Sequence, residues 1–128
     1  MKRNQKFFVC KHCGNLIGFI DHKGASVICC GGKMAELVPN TVEASTEKHL
    51  PVVTVYKNSV KVQVGSVLHP MEEKHYVGFV YLETETGGQR KTIGTDRKPV
   101  VRFSLVNDKP VAVYAYCNLH GLWKTAVT

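Results

Sequence analysis

Val111-Ala112-Val113-Tyr114-Ala115-Tyr116-Cys117-Asn118-Leu119-His120-Gly121 is the stretch on which the reading of this chain turns. Val111, Val113, Ala115 and Cys117 share one parity, which is the period of an extended strand and not of a helix. The run then ends in a tight Cys117-x-x-His120 turn, two metal-capable side chains at a strand terminus.

The same period of two governs the chain from Val52 onward. Val60, Val62 and Val64 alternate with Lys61 and Gln63. Val77, Phe79 and Tyr81 alternate with Gly78, Val80 and Leu82, and Val101, Phe103 and Leu105 alternate with Arg102 and Ser104. Turn chemistry separates the runs at Lys57-Asn58-Ser59, Gly87-Gly88, Asp96-Arg97-Lys98-Pro99 and Asn107-Asp108-Lys109-Pro110. The pattern predicts strands over 52–56, 60–66, 76–84, 89–93, 100–106, 111–117 and 122–127. Short strands at this spacing make an all-β, seven-stranded antiparallel β-sandwich. Ahead of it, Val38-Pro39-Asn40-Thr41 reads as a linker. Asn40 followed by Glu43 predicts a helix N-cap with its acid. The helical turn would run through Glu43-Ala44-Ser45-Thr46-Glu47 and stop at Pro51.

Residues 1–37 form a second region, rich in Gly and Cys, with short apolar runs at Phe7-Phe8-Val9, Leu16–Ile20 and Val27-Ile28. So small a piece cannot fold on apolar burial alone. Cys10-x-x-Cys13 and Cys29-Cys30 supply four thiolates, with Gly14 and Gly31-Gly32 to relax the turns. Four thiolates suit tetrahedral zinc or a single iron, and spacing alone does not choose between them. Adjacent ligands on one backbone should strain the tetrahedron. His12 and His22 are not needed as ligands there.

The chain has 128 residues, 44% of them hydrophobic, and a net charge of +7. No apolar stretch approaches the roughly 18–20 residues of a membrane span. The start lacks a signal-peptide apolar region, which gives the expectation of a cytoplasmic protein. The charge fits plain solubility or attraction of an anion, either nucleic acid or a small substrate; the lysines and arginines are scattered and never reach the run of five or six of a nucleic-acid tail, and charge alone does not choose. Five cysteines split four plus one, and in a cytosolic chain such clusters bind metal more often than they form disulfides.

Cys117 has companions. His49, His69, His75 and His120 all fall at predicted strand ends or loops, where a sandwich gathers its connections at one end. Four imidazoles and a thiolate suit iron, zinc, copper or nickel. Five protein donors exceed what tetrahedral zinc takes and leave one octahedral position open, a geometry for redox chemistry on a small ligand. The Cys117–His120 turn can aim backbone N–H groups at the sulfur.

Three motifs carry a resemblance: Glu47-Lys48-His49 with Pro51; Gly65-Ser66-Val67-Leu68-His69-Pro70-Met71-Glu72-Glu73-Lys74-His75; and Cys117-Asn118-Leu119-His120-Gly121 with Trp123. In this order they resemble the desulfoferrodoxin, or superoxide reductase, family, and the four-cysteine region resembles desulforedoxin. The resemblance implies a desulforedoxin-like Fe(Cys)4 domain over 1–37. It implies an immunoglobulin-like β-sandwich over 38–128 with an Fe(His)4(Cys) site. That is two irons per chain, without haem or inorganic sulfide. It also implies a homodimer, superoxide as substrate, hydrogen peroxide as product, and a rubredoxin-like or other small protein as electron donor. Under the resemblance, Lys48 attracts the anion and orders the proton-donating water, Glu47 offers a carboxylate to the oxidised iron, and Lys74 adds to the field. Many members of the family carry an acidic residue two positions before the ligating cysteine. Here Ala115 stands there, which alters the tuning and removes no ligand.

Overall fold

The computed structural model describes residues 5–127. The chain divides into two compact units at Val38/Pro39. In the first, β1 (Phe7–Val9), β2 (Leu16–Gly18), β3 (Ile28–Cys29), β4 (Gly32–Lys33) and β5 (Ala35–Glu36) are strands of two or three residues. They form a three-stranded sheet in the order β2-β1-β5 and a separate β3-β4 hairpin. Among the described residues of this unit only Phe7, Cys10 and Met34 are buried. That is too little apolar burial to offset the chain entropy of ordering the unit.

The second unit opens with one helical turn, α1 (Thr46–His49). Seven strands follow: β6 (Pro51–Tyr56), β7 (Ser59–Val64), β8 (Val77–Thr84), β9 (Gly88–Thr92), β10 (Val100–Ser104), β11 (Pro110–Cys117) and β12 (Gly121–Ala126). They make a three-stranded sheet, β10-β7-β6, and a four-stranded sheet, β12-β11-β8-β9, with every pairing antiparallel. The core between the sheets follows the alternation of β7, β10 and β11, while β8 contributes from both parities. Val60, Val62 and Val64 of β7 and Phe103 of β10 meet Val80 and Leu82 of β8 and Val113 and Ala115 of β11. The Gln89 side chain of β9 donates to the Ser104 carbonyl of β10 at 2.8 Å, tying the edge of one sheet to the edge of the other.

Two features depart from the sequence reading. Asn40 caps no helix. It sits at a φ of 62° and spends its side chain on β12, donating through Nδ2 to the Lys124 carbonyl (3.1 Å) and accepting the Lys124 N–H (2.9 Å). With that amide committed, the helical turn starts after Ser45 and runs to His49. The second departure lies in β8. The β8–β11 register slips between Tyr116 and Cys117, so Cys117 faces Val77 while Tyr116 faces Phe79. This bulge lets Val77 join Val80 and Leu82 in one core although their parities differ. Bulges re-aim side chains beside functional sites, and this one is one residue from Cys117.

Candidate metal centres

The four cysteines of the first unit come together as a set. Their sulfurs lie within 4.8 Å of one another. Cys13 Sγ is 3.6 Å from Cys29 Sγ, and Cys29 Sγ is 4.0 Å from Cys30 Sγ. A tetrahedron with metal–sulfur bonds of about 2.3 Å has edges of about 3.8 Å. None of the five cysteines is in a disulfide. Two knuckles build the cluster. In the first, Gly14 N–H donates to the Cys10 carbonyl and Cys10 N–H to the Asn15 carbonyl, both at 2.8 Å. In the second, Cys30 adopts a φ of 53° ahead of Gly31 at 76°, which is how adjacent cysteines reach one point. That left-handed Cys30 is the backbone strain the adjacency implies.

The sulfurs also show the want of a cation. Cys10 is lowered to about 6, first by the Cys13 N–H that donates to its sulfur. Cys30 is raised to about 12, first by the neighbouring Cys13 thiol and next by Cys10, and Cys29 is raised for the same reasons. Four thiols this close cannot all ionise without a positive charge among them. His12 is exposed, and His22 packs its ring on Phe8 and Phe19 at 5.3 and 4.5 Å; neither joins the cluster.

In the second unit, four short segments converge. His49, His69, His75 and Cys117 place one donor atom each within 4.8 Å of the others. His120 joins them through Nδ1, which is 3.1 Å from His49 Nε2 and 3.8 Å from Cys117 Sγ. The tautomers are set from outside. His49 Nδ1–H donates to the Ser45 carbonyl at 2.6 Å, and His69 Nδ1–H to the Pro70 carbonyl at 2.7 Å. In each ring that leaves Nε2 as a bare lone pair. Nε2 of His69 and Nε2 of His75 are buried with no hydrogen-bond partner among the described residues. An unsatisfied buried polar atom costs about 1–3 kcal/mol, and a metal ion in the middle of the cluster satisfies both at once. The donor set therefore fits a resident metal. Burial lowers His69 to about 4 and lowers His49 as well. Burial raises the Cys117 thiol, while the backbone N–H groups of Leu119 and His120, aimed at its sulfur, act the other way.

Glu47 and Lys48 lie on α1 beside His49, and both are exposed, as is Lys74 beside His75. Ala115 is buried in the sandwich core at 2% exposure.

What sequence reasoning did not find are the stitches between the ligand segments. The Glu47 carbonyl accepts the Val67 N–H (2.9 Å) and the Ser66 hydroxyl (3.2 Å), binding α1 to the loop that carries His69. Asn118 accepts the Tyr76 N–H at 2.8 Å and donates to the Lys74 carbonyl at 3.0 Å, binding the Cys117 turn to the segment that carries His75. Gly65 lies so tightly under α1 that a Cβ there would stand 2.5 Å from the Glu47 carbonyl oxygen and 3.0 Å from that of Leu50. Glu47, Gly65, Ser66, Val67, Lys74 and Asn118 sit inside motifs already quoted, but the partner each holds is visible only in three dimensions.

A family model described as Desulfoferrodoxin matches residues 41–126. The chain belongs to the desulfoferrodoxin family. It is 38% identical over 125 residues to a desulfoferrodoxin of Syntrophotalea carbinolica, covering 98% of each chain. Its fold matches the crystal structure of the superoxide reductase from Treponema pallidum with a TM-score of 0.82 and 40% identity, over 96% of this chain and 99% of that one. A superoxide reductase of Giardia intestinalis, titled 1Fe-SOR, matches at TM-score 0.55 and 33% identity, over 63% of this desulfoferrodoxin-family chain and 97% of its own.

Two outcomes follow. Gly65→Ala pushes backbone against backbone, so α1 must move. Such overpacking costs about 1–3 kcal/mol. Metal analysis should show the His/Cys site partly emptied and the four-cysteine site still filled. The second outcome concerns pH. His69 titrates near 4 when folded against 6.5 in the unfolded chain. Between these values the unfolded state binds the extra proton, so stability is whole above about 6.5 and falls as pH drops toward 4. The urea midpoint of metal-free protein should decline across that window.

Proposed function

We propose that this protein reduces superoxide to hydrogen peroxide at an iron held by His49, His69, His75, His120 and Cys117. The observation that carries the reading is the convergence of five donors, two of them buried imidazole nitrogens without a hydrogen-bond partner. The likeness over nearly the whole chain to a superoxide reductase structure supports it. Superoxide, one electron and two protons give one hydrogen peroxide. When bound, iron would be held by these five donors and would supply the electron.

The chain's own residues do the rest. Lys48, exposed on the turn that carries His49, draws the anion and orders a water that delivers protons. Glu47, next to it, offers the hard carboxylate oxygen that an oxidised iron favours. The Leu119 and His120 N–H groups would spread the charge of the Cys117 thiolate and so tune its donation to a bound iron. The ligand segments carry Glu47, Glu72 and Glu73 against Lys48 and Lys74, so the longer-range attraction comes from the net +7 of the chain. A positive field of this kind raises capture of a monoanion and is screened by salt.

We assign a second iron to Cys10, Cys13, Cys29 and Cys30, where the exposure of Cys13 and Cys30 gives electrons a short way in. Its role is electron transfer from a rubredoxin-like or other small donor protein, or support of the first unit. The protein works as a cytoplasmic homodimer in this reading. Among the described residues no helix is long and apolar enough to cross a membrane.

Iron analysis of purified protein tests the metal assignment: two iron per chain with two distinct ferric–thiolate absorptions supports it, and zinc at the His/Cys site removes it. Lys48→Ala should keep its iron and slow superoxide capture by about 100-fold, the lower end of the effect of losing one positioned acid–base group. The wild-type rate should fall as ionic strength rises. An unchanged rate in the variant makes Lys48 an ordinary surface lysine. Cys13→Ser should abolish the absorption of the four-cysteine site and leave the reaction with superoxide intact; loss of both makes the two sites interdependent.

A further inference from the structure

Trp123 is the single tryptophan of the chain. It lies in β12 and is 4% exposed. Its indole stacks on the His49 imidazole, with ring centres 5.0 Å apart and planes at 28°. Its Nε1–H donates to the His120 carbonyl at 3.1 Å. His49 hangs from α1, directly ahead of the three-stranded sheet, and His120 from the β11–β12 turn of the four-stranded sheet. One side chain thus touches two donors that reach the site from different sheets, and those donors are 3.1 Å apart.

The contacts are made where they leave the donor atoms free. The indole takes the face of the His49 ring and the backbone of His120, so His49 Nε2 and His120 Nδ1 both stay directed at the cluster. The Ser45 carbonyl fixes His49 at Nδ1 but does not stop the ring tilting about that bond; a flat aromatic surface on its face does. At His120, the chain continues into Gly121 at a φ of 77°, a residue with no side chain to stiffen the turn. The indole N–H bond spans that glycine and closes the turn from the far side.

We propose that Trp123 is a positioning residue for the His/Cys metal site. It holds the ring angle of His49 and the turn of His120, and through them sets how tightly the metal is kept and how the Cys117 thiolate meets it. The inference rests on the reading of the five donors as a metal site and is independent of superoxide as the substrate. Groups that orient metal ligands from behind typically contribute 10- to 100-fold in metal affinity.

The test uses iron-loaded full-length protein with Trp123→Phe, which keeps an aromatic face and loses the N–H, and Trp123→Leu, which loses both. Phe103→Leu, a change elsewhere in the core, is the control for packing loss alone. Three quantities are read: the position of the Cys117–iron charge-transfer band, the rate of iron loss to a chelator, and the thermal midpoint of metal-free protein. Iron loss should quicken about 10-fold in Trp123→Phe and about 100-fold in Trp123→Leu, with a moved band in both. Phe103→Leu should lower the midpoint with band and iron loss unchanged. If the Trp123 variants behave like Phe103→Leu, the tryptophan is only packing and the inference fails; if Trp123→Leu does not fold, Trp123→Phe decides alone. Absence of the band from the wild-type protein would instead overturn the metal-site reading itself.

Discussion

The second unit is organised around buried imidazole nitrogens that a cation would satisfy. Nε2 of His69 and of His75 are buried and unpaired, and His49 Nε2 and His120 Nδ1 lie 3.1 Å apart beside them. A fold does not keep such atoms for stability, since each costs free energy in the metal-free state. They persist because the surroundings leave them no alternative. The carbonyls of Ser45 and Pro70 hold the opposite nitrogens, and the Glu47 carbonyl and the Asn118 amide hold the segments. The sandwich supplies the rigid ends from which those segments start, and Val64, Cys117 and Gly121 all lie at strand termini.

The first unit solves a different problem with the same means. Among its described residues the buried apolar set is Phe7, Met34 and the Cys10 side chain, so a metal among four sulfurs has to supply cohesion that packing does not. The opposed shifts of Cys10 and Cys30 express this directly: one thiol is eased toward ionisation by a backbone N–H while its neighbour is held protonated by the sulfurs beside it. In the second unit the sandwich folds around its own core and the metal completes it.

The seven strands were readable because each buries one face, and the period of two survives in Val60-Lys61-Val62-Gln63-Val64. The predicted strand 60–66 overran, since Gly65 leaves the ladder to pass under α1. The helix was misplaced because Asn40 bears a capping residue's chemistry but finds a better partner in β12 from across the chain. The bulge beside Cys117 leaves no mark in hydrophobicity, because Val77, Phe79, Val80 and Leu82 are all apolar and either parity fits. At the site, the residue types that bind metal stand out in sequence, and the structure gathers them. The groups that aim them do not stand out: Ser45 and Pro70 act through backbone carbonyls that every residue has, and Gly65 acts by lacking a side chain.

The central claim is that the His/Cys cluster is where superoxide is reduced. Pulse radiolysis of the reduced, iron-loaded protein tests it most directly, because it delivers superoxide alone and follows the absorption of that centre in time. The account predicts rapid oxidation of the centre, with hydrogen peroxide formed and no dioxygen produced. An unreacted centre, or dioxygen formed alongside peroxide as in a dismutation, would contradict it.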